Sequence, residues 1–574
     1  MRLAFRLVFL CVLCASVANG FALNREAFTF TNYDLNVQVD PEQHRLGVRG
    51  QITLRNDSQV PQKFAVLQIS SSLDWRSIEA GGKPLQFVSQ PYTSDIDHTG
   101  ALSEVIVTLP QPVAPKSSVE LDVAYEGVIV LDATRLTRIG TPESQAESAD
   151  WDQISANFTG VRGAGYVAWY PIATEAADLS EDDSLFEVLG RWKARESEGS
   201  MKLSFDNPSP GGVPVLTLCS GHETREATVG AGGAQSAAAQ CSYSSFGLSI
   251  PAFVIAAYTL TDRPAVTVFS FPAHVDAANN FADAAGKAAP FIAEWFGPPR
   301  EKARTIDLPD PNSAPFESGS LLLTPLASGD STLAGMVAAH QLTHASFFSP
   351  RPWIDEGLAL FAQALYLERE KGRQAALDYM GLHRSAFTHL EKQENGVIGD
   401  RATRQSLVNT SNEELYRSKA MCVWWMLRDM IGDAALKKAL AAYRAADDKE
   451  PSYMPRLIQA QTQRDLEWFF DDWVYRDRGL PDFKIESVFP RKTLNGTYIV
   501  TITVDNLGTA GAEVPLLVKF DGGEITKRLE VRAKSKGVTR VETSAAPQEV
   551  TVNDGSVPES DMTNNSFKIA SAEK

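Results

Sequence analysis

The chain has 574 residues, 44% hydrophobic and 22% charged, a balance ordinary for a globular protein of three or four domains. Its formal net charge is −17. No basic stretch is present that would neutralise phosphates, which argues against a nucleic-acid partner.

The first twenty residues read as an export signal. Arg2 and Arg6 precede an apolar run from Leu7 to Ala18, and Ser16-Val17-Ala18 and Ala18-Asn19-Gly20 offer small-residue cleavage sites. The run is short for a membrane span, and no later stretch approaches about twenty apolar residues, so no span is expected after signal removal. The protein is expected to be secreted or periplasmic. Cys219 and Cys241 flank a Gly/Ala/Ser-rich segment, and in an exported chain a disulfide between them is expected. Cys422, in the apolar run Ala-Met-Cys-Val-Trp-Trp-Met-Leu, reads as a buried free thiol.

From residue 21 to 262 the pattern alternates, as in Tyr33-Asp-Leu-Asn-Val-Gln-Val39 and Val119-Glu-Leu-Asp-Val-Ala-Tyr125. This predicts an all-β domain. From 263 to 482 helical patterning dominates. Helices are predicted over 277–296, 332–348, 353–371, 413–431, 433–446 and 466–475. Alternation returns from 483 to 574, and the turn Asn506-Leu-Gly-Thr-Ala-Gly511 fits a small β-sandwich. The fold class is therefore multidomain α+β.

Residues 340–344 read His-Gln-Leu-Thr-His. With eight histidines in the chain, such a pair arises by chance at odds of roughly one in ten. The context favours more. Both histidines fall on an Ala- and Leu-rich helix closed by Pro350 and Pro352, and two residues four apart on a helix share a face. Glu356 follows in the first turn of the next helix, where it can complete a three-ligand zinc site. The plain alternative for Glu356 is an acid favoured by the helix dipole. In H-E-x-x-H motifs the residue after the first histidine is the general base. Here it is Gln341, whose amide can hydrogen-bond a water but cannot take its proton at neutral pH.

The order of domains, with the ligand set His340, His344 and Glu356, resembles the membrane-alanyl-aminopeptidase family of gluzincin zinc metallopeptidases. Gly163-Ala-Gly-Tyr-Val-Ala-Trp-Tyr-Pro171 is similar to the segment before that family's peptidase domain. Pro315-Phe-Glu-Ser-Gly319 stands where the family carries G-x-M-E-N and keeps only the glutamate. Tyr416 in Leu415-Tyr-Arg-Ser-Lys-Ala420 is similar to the tyrosine of Y-x-K-G-A, and Asp465–Trp473 to the closing helix. The gap between His344 and Glu356 holds 11 residues, shorter than in the family but compatible with other gluzincins. The last domain, with Val557-Pro-Glu-Ser-Asp-Met-Thr-Asn-Asn565, is similar to adhesion-type bacterial β-sandwiches.

The resemblance implies a thermolysin-like peptidase domain, zinc as cofactor and a peptide as substrate. Glu317 would bind the substrate's free α-amine; its alternative is a loop carboxylate. Tyr416 would donate to the developing oxyanion, worth about 3 kcal/mol when well placed; its alternative is a packed helical tyrosine. Asp355 would orient a histidine or simply cap its helix. Gln341 leaves two expectations open. One is an aminopeptidase of reduced activity, the other a catalytically silent zinc-binding relative that holds peptides or acts in extracellular interactions.

Overall fold

A computed structural model describes residues 23–569 apart from 182–183, 207–214, 230–234, 327–330, 397–405, 411, 413 and 477. The expected signal, 1–20, lies outside the described residues. The fold is mixed α and β in two compact units, Met1–Ala257 and Tyr258–Lys574. The division falls after Ala257 rather than after 262, because Thr259–Asp262 hairpins onto Val266–Ser270 and belongs with the second unit.

The first unit is built on strands, as the alternation requires. In Phe28–Asp40 the side chains of Tyr33, Leu35, Val37 and Val39 are all buried. This strand runs antiparallel to Arg45–Asn56 and parallel to Ser200–Asp206 within an eight-stranded sheet. Two three-stranded sheets complete the unit around one core that includes Trp169, Tyr170, Trp192 and Phe253. Cys219 and Cys241 form a disulfide. No helix among the described residues is long and apolar enough to cross a membrane.

The second unit adds strands that the predominantly helical reading of 263–482 did not name. A five-stranded sheet lies there, in the order Thr259–Asp262, Val266–Ser270, Ala303–Asp307, Leu321–Thr324, Phe316–Ser318. Its three inner strands are parallel, and the last is an antiparallel edge strand. These strands have only 3 to 5 residues, too short for period-two patterning to stand out from the helical sequence around them. Helices Val275–Phe296, Ser331–Ser346, Pro352–Lys371, Arg373–Gly396 and Ala420–Ile431 follow or interleave. A π-helical turn, Glu414–Lys419, precedes the last of them. The chain ends in two antiparallel sheets, of three strands and four, whose inner residues Val500, Ile502, Val514, Leu516 and Val518 share a core with the helices. Trp473 Nε1 donates to Gly511 O at 2.8 Å across that junction.

Candidate metal centre

The histidine helix, Ser331–Ser346, is buried over nearly its whole second half, from Ala338 to Ser346. It stops where Ser349 and Pro350 turn the chain, and the glutamate helix starts with Pro352 in its first turn, where a missing N–H costs nothing. Side chains pin the turn. Ser349 N donates to Asp355 Oδ1 at 2.8 Å, Ser349 Oγ lies 2.8 Å from Tyr443 Oη, and Arg351 Nε donates to Asp448 at 2.7 Å. The first turn of the glutamate helix is thereby held beside the end of the histidine helix.

His340 Nε2 and His344 Nε2 stand 3.2 Å apart. Two nitrogens each at the usual zinc distance and at a tetrahedral angle would be about 3.3 Å apart. Glu356 approaches both, at 3.6 Å from His344 Nε2 and 3.8 Å from His340 Nε2. Glu317, on the edge strand Phe316–Ser318, reaches His340 Nε2 at 2.7 Å. One ligand atom from each of these four residues lies within 4.8 Å of every other. Glu317 Oε2 and Glu356 Oε2 are both sealed from solvent without an aligned hydrogen-bond donor. Two imidazoles and two buried carboxylates suit a borderline divalent ion, and the residues present fit zinc.

The surroundings support that donor set. Asp355 Oδ2 lies 3.3 Å from His344 Nδ1, on the far side of the ring from the cluster, where a carboxylate fixes the tautomer that offers Nε2. Arg417, on the π-helical turn, sets Nε 3.4 Å from Glu356 and Nη2 4.0 Å from Glu317. Burial pushes the Glu317 carboxyl up, but the His340, Arg417 and His344 charges outweigh it and hold the group at about 2. Glu356 is likewise lowered, against burial, by Arg417 and both histidines. For His344 burial works downward, and the Glu356 and Asp355 carboxylates overcome it, raising the imidazole to about 9.

Of the residues expected at this site, His340, His344, Glu356 and Glu317 are together. Glu317 sits among the ligand atoms rather than beyond them. Gln341 takes a different part. Its Nε2 donates to Arg304 O at 2.5 Å and Ser320 O at 2.9 Å, and its Oε1 accepts from Thr305 Oγ1 at 2.9 Å. Both amide protons are spent on backbone carbonyls, so Gln341 ties the histidine helix to the strand Ala303–Asp307 and to the turn at Ser320 and has no proton to offer a substrate. Tyr416 is buried in the core, one residue before Arg417 on the same turn. Arg417 itself went unmarked in the sequence, although its place beside Tyr416 was a usable signal. Comparison with known protein families and with curated proteins finds no match for this chain.

Proposed function

We propose that the protein is an exported zinc metallopeptidase of aminopeptidase type, with an N-terminal β-domain, a thermolysin-like peptidase domain and a C-terminal β-sandwich. The observation that carries this reading is the pair of Nε2 atoms 3.2 Å apart, with Glu356 near both and Asp355 behind His344. The disulfide accords with an oxidising, secreted or periplasmic setting. Zinc, when bound, would polarise the scissile carbonyl and lower the pKa of a water to about 7. The chain's own residues do the rest. Asp355 keeps His344 oriented, Glu317 offers its charge to the substrate's N-terminal ammonium, Arg417 balances the two carboxylates, and Tyr416, on the same turn as Arg417, would be the oxyanion donor. The test is metal content measured with turnover of N-terminal aminoacyl substrates. One zinc per chain and chelator-sensitive release of the first residue are expected; full zinc with no hydrolysis of any such substrate would defeat the reading.

A second reading has its own support. With Glu317 2.7 Å from His340, the cluster has four donors, and a closed four-ligand site holds a metal without chemistry. The protein would then be a silent zinc-binding relative that holds peptides. Glu317→Ala separates the two. Loss of zinc affinity by 100-fold or more marks a ligand. Retained zinc with a KM raised about tenfold marks the amine site, since a charge-assisted contact is worth roughly that much.

A further inference from the structure

Behind the metal ligands, a run of hydrogen bonds ties His344 to a distant stretch of the chain. Asp355 uses both of its oxygens. Oδ2 lies 3.3 Å from His344 Nδ1, and Oδ1 accepts from Ser349 N at 2.8 Å. Ser349 stands in the turn between the histidine and glutamate helices. Its Oγ accepts from Arg351 N at 3.1 Å and lies 2.8 Å from Tyr443 Oη. Tyr443 directly follows helix Asp433–Ala442, and Asp448 directly follows the 3-10 turn Ala445–Asp447. Asp448 holds the neighbouring turn at two points: Oδ2 accepts from Tyr443 Oη at 2.7 Å, and Oδ1 accepts from Arg351 Nε at 2.7 Å. Ser349, Tyr443 and Asp448 are all buried.

Proton count fixes the direction of these bonds. A phenol has one proton, and Tyr443 gives it to the Asp448 carboxylate. Burial, then Asp448, pushes the phenol's pKa up, so it stays a donor. Tyr443 Oη must therefore accept from Ser349 Oγ, whose own lone pair receives Arg351 N. Each hydroxyl is left with one orientation, and two bonds to a single buried carboxylate anchor the run. The turn cannot shift without breaking a buried bond, so Ser349 N stays aimed at Asp355. The Tyr443 ring adds packing, stacked on Phe347 at 5.2 Å just past the histidine helix.

We propose that Tyr443 and Asp448 are positioning residues of the metal centre. They act through Ser349 and Arg351 on Asp355, and through Asp355 on the ring of His344. The proposal deepens the metallopeptidase reading and rests on its metal site, not on its turnover. A carboxylate that orients a ligand imidazole is worth about 10- to 100-fold in metal affinity or activity. Tyr443 stands further from the ligand, and the lower end of that range, about tenfold, is the effect expected of its hydroxyl.

The test uses the full chain as wild type, Tyr443→Phe, Ser349→Ala, Asp355→Ala and the double variant Tyr443→Phe with Asp355→Ala. Tyr443→Phe keeps the stacked ring and removes only the hydroxyl; Ser349→Ala breaks the same run from the other side. Zinc affinity is measured by competition with a chromophoric chelator, the visible spectrum of the cobalt form is recorded, and kcat and KM are measured on peptides. Each of these two single variants is expected to bind zinc about tenfold more weakly, to change the cobalt spectrum, and to lose kcat with KM within about twofold. On the Asp355→Ala background, Tyr443→Phe should cost less than about twofold in zinc affinity, because the route it acts through is gone. A full tenfold loss on that background, or wild-type affinity and spectrum in both single variants, overturns the proposal. A wild type that binds zinc but cleaves no peptide defeats the peptidase reading alone, and the affinities still decide the roles of Tyr443 and Asp448. A wild type that binds no zinc overturns both.

Discussion

At position 341 the difference between an amide and a carboxylate decides which partners the side chain can keep. Gln341 donates two hydrogen bonds to the carbonyls of Arg304 and Ser320. A glutamate would face those oxygens with no proton to give, in a site where the residue is only 2% exposed. Gln341→Glu is therefore expected to cost about 3 kcal/mol of stability and to gain no turnover. A lowered melting temperature checks the first part; a rise in kcat would contradict the second. His344 sets a pH dependence. The metal-free imidazole is raised to about 9 by Glu356 and Asp355 against burial, and a metal needs its Nε2 unprotonated. Below about pH 9, binding must expel that proton. Zinc affinity should then fall roughly tenfold for each unit of pH lost, which competition titrations at pH 6, 7 and 8 would measure.

One glycine lets two elements of the site approach closely. Gly357 follows the ligand Glu356, and a Cβ there would stand 2.7 Å from Ala420 Cβ and 3.1 Å from Trp424 Nε1. The same face is locked by Trp353 stacked on Trp424 at 5.2 Å and by the indole of Trp424 donating to Trp353 O. Gly357→Ala should push the glutamate helix off Ala420–Ile431 and carry Glu356 with it. We expect roughly tenfold weaker zinc binding with no ligand altered, measured by competition with a chromophoric chelator. Zinc affinity equal to wild type would mean the helix gives elsewhere. The histidine and glutamate helices were legible in the sequence because long apolar periodicity, Pro350 and Pro352 mark them. The helix Arg373–Gly396 was not, because polar residues interrupt its apolar face and Gly372, at φ 89°, ends one helix just before the next begins. The π turn was also invisible. Its wider turn brings Arg417 to the two carboxylates by a geometry that 3.6-residue periodicity does not encode. Nor could the motif alone reveal that Gln341 is absorbed by its neighbours, since the strand Ala303–Asp307 and the turn at Ser320 that accept from it were too short to read.

On the scale of the molecule, each unit buries a carboxyl group that prefers to stay protonated. Burial raises Glu196 to about 7 in the first unit, with Arg195 opposing, and raises Glu559 to about 8 in the second, where Asn553 donates to it. A carboxyl raised in the folded state adds stability that is fully present below about pH 4.5 and is lost as pH rises through those values. The protein should melt at lower temperature at pH 8.5 than at pH 5. Glu559→Gln, neutral at both, should shrink the difference; an unchanged difference would place the titration elsewhere. The disulfide lies wholly within one unit and the four-donor cluster wholly within the other. A thiol reductant and a chelator therefore loosen different halves of the chain. Used separately in calorimetry, the two reagents label which half of the chain gives rise to each melting step.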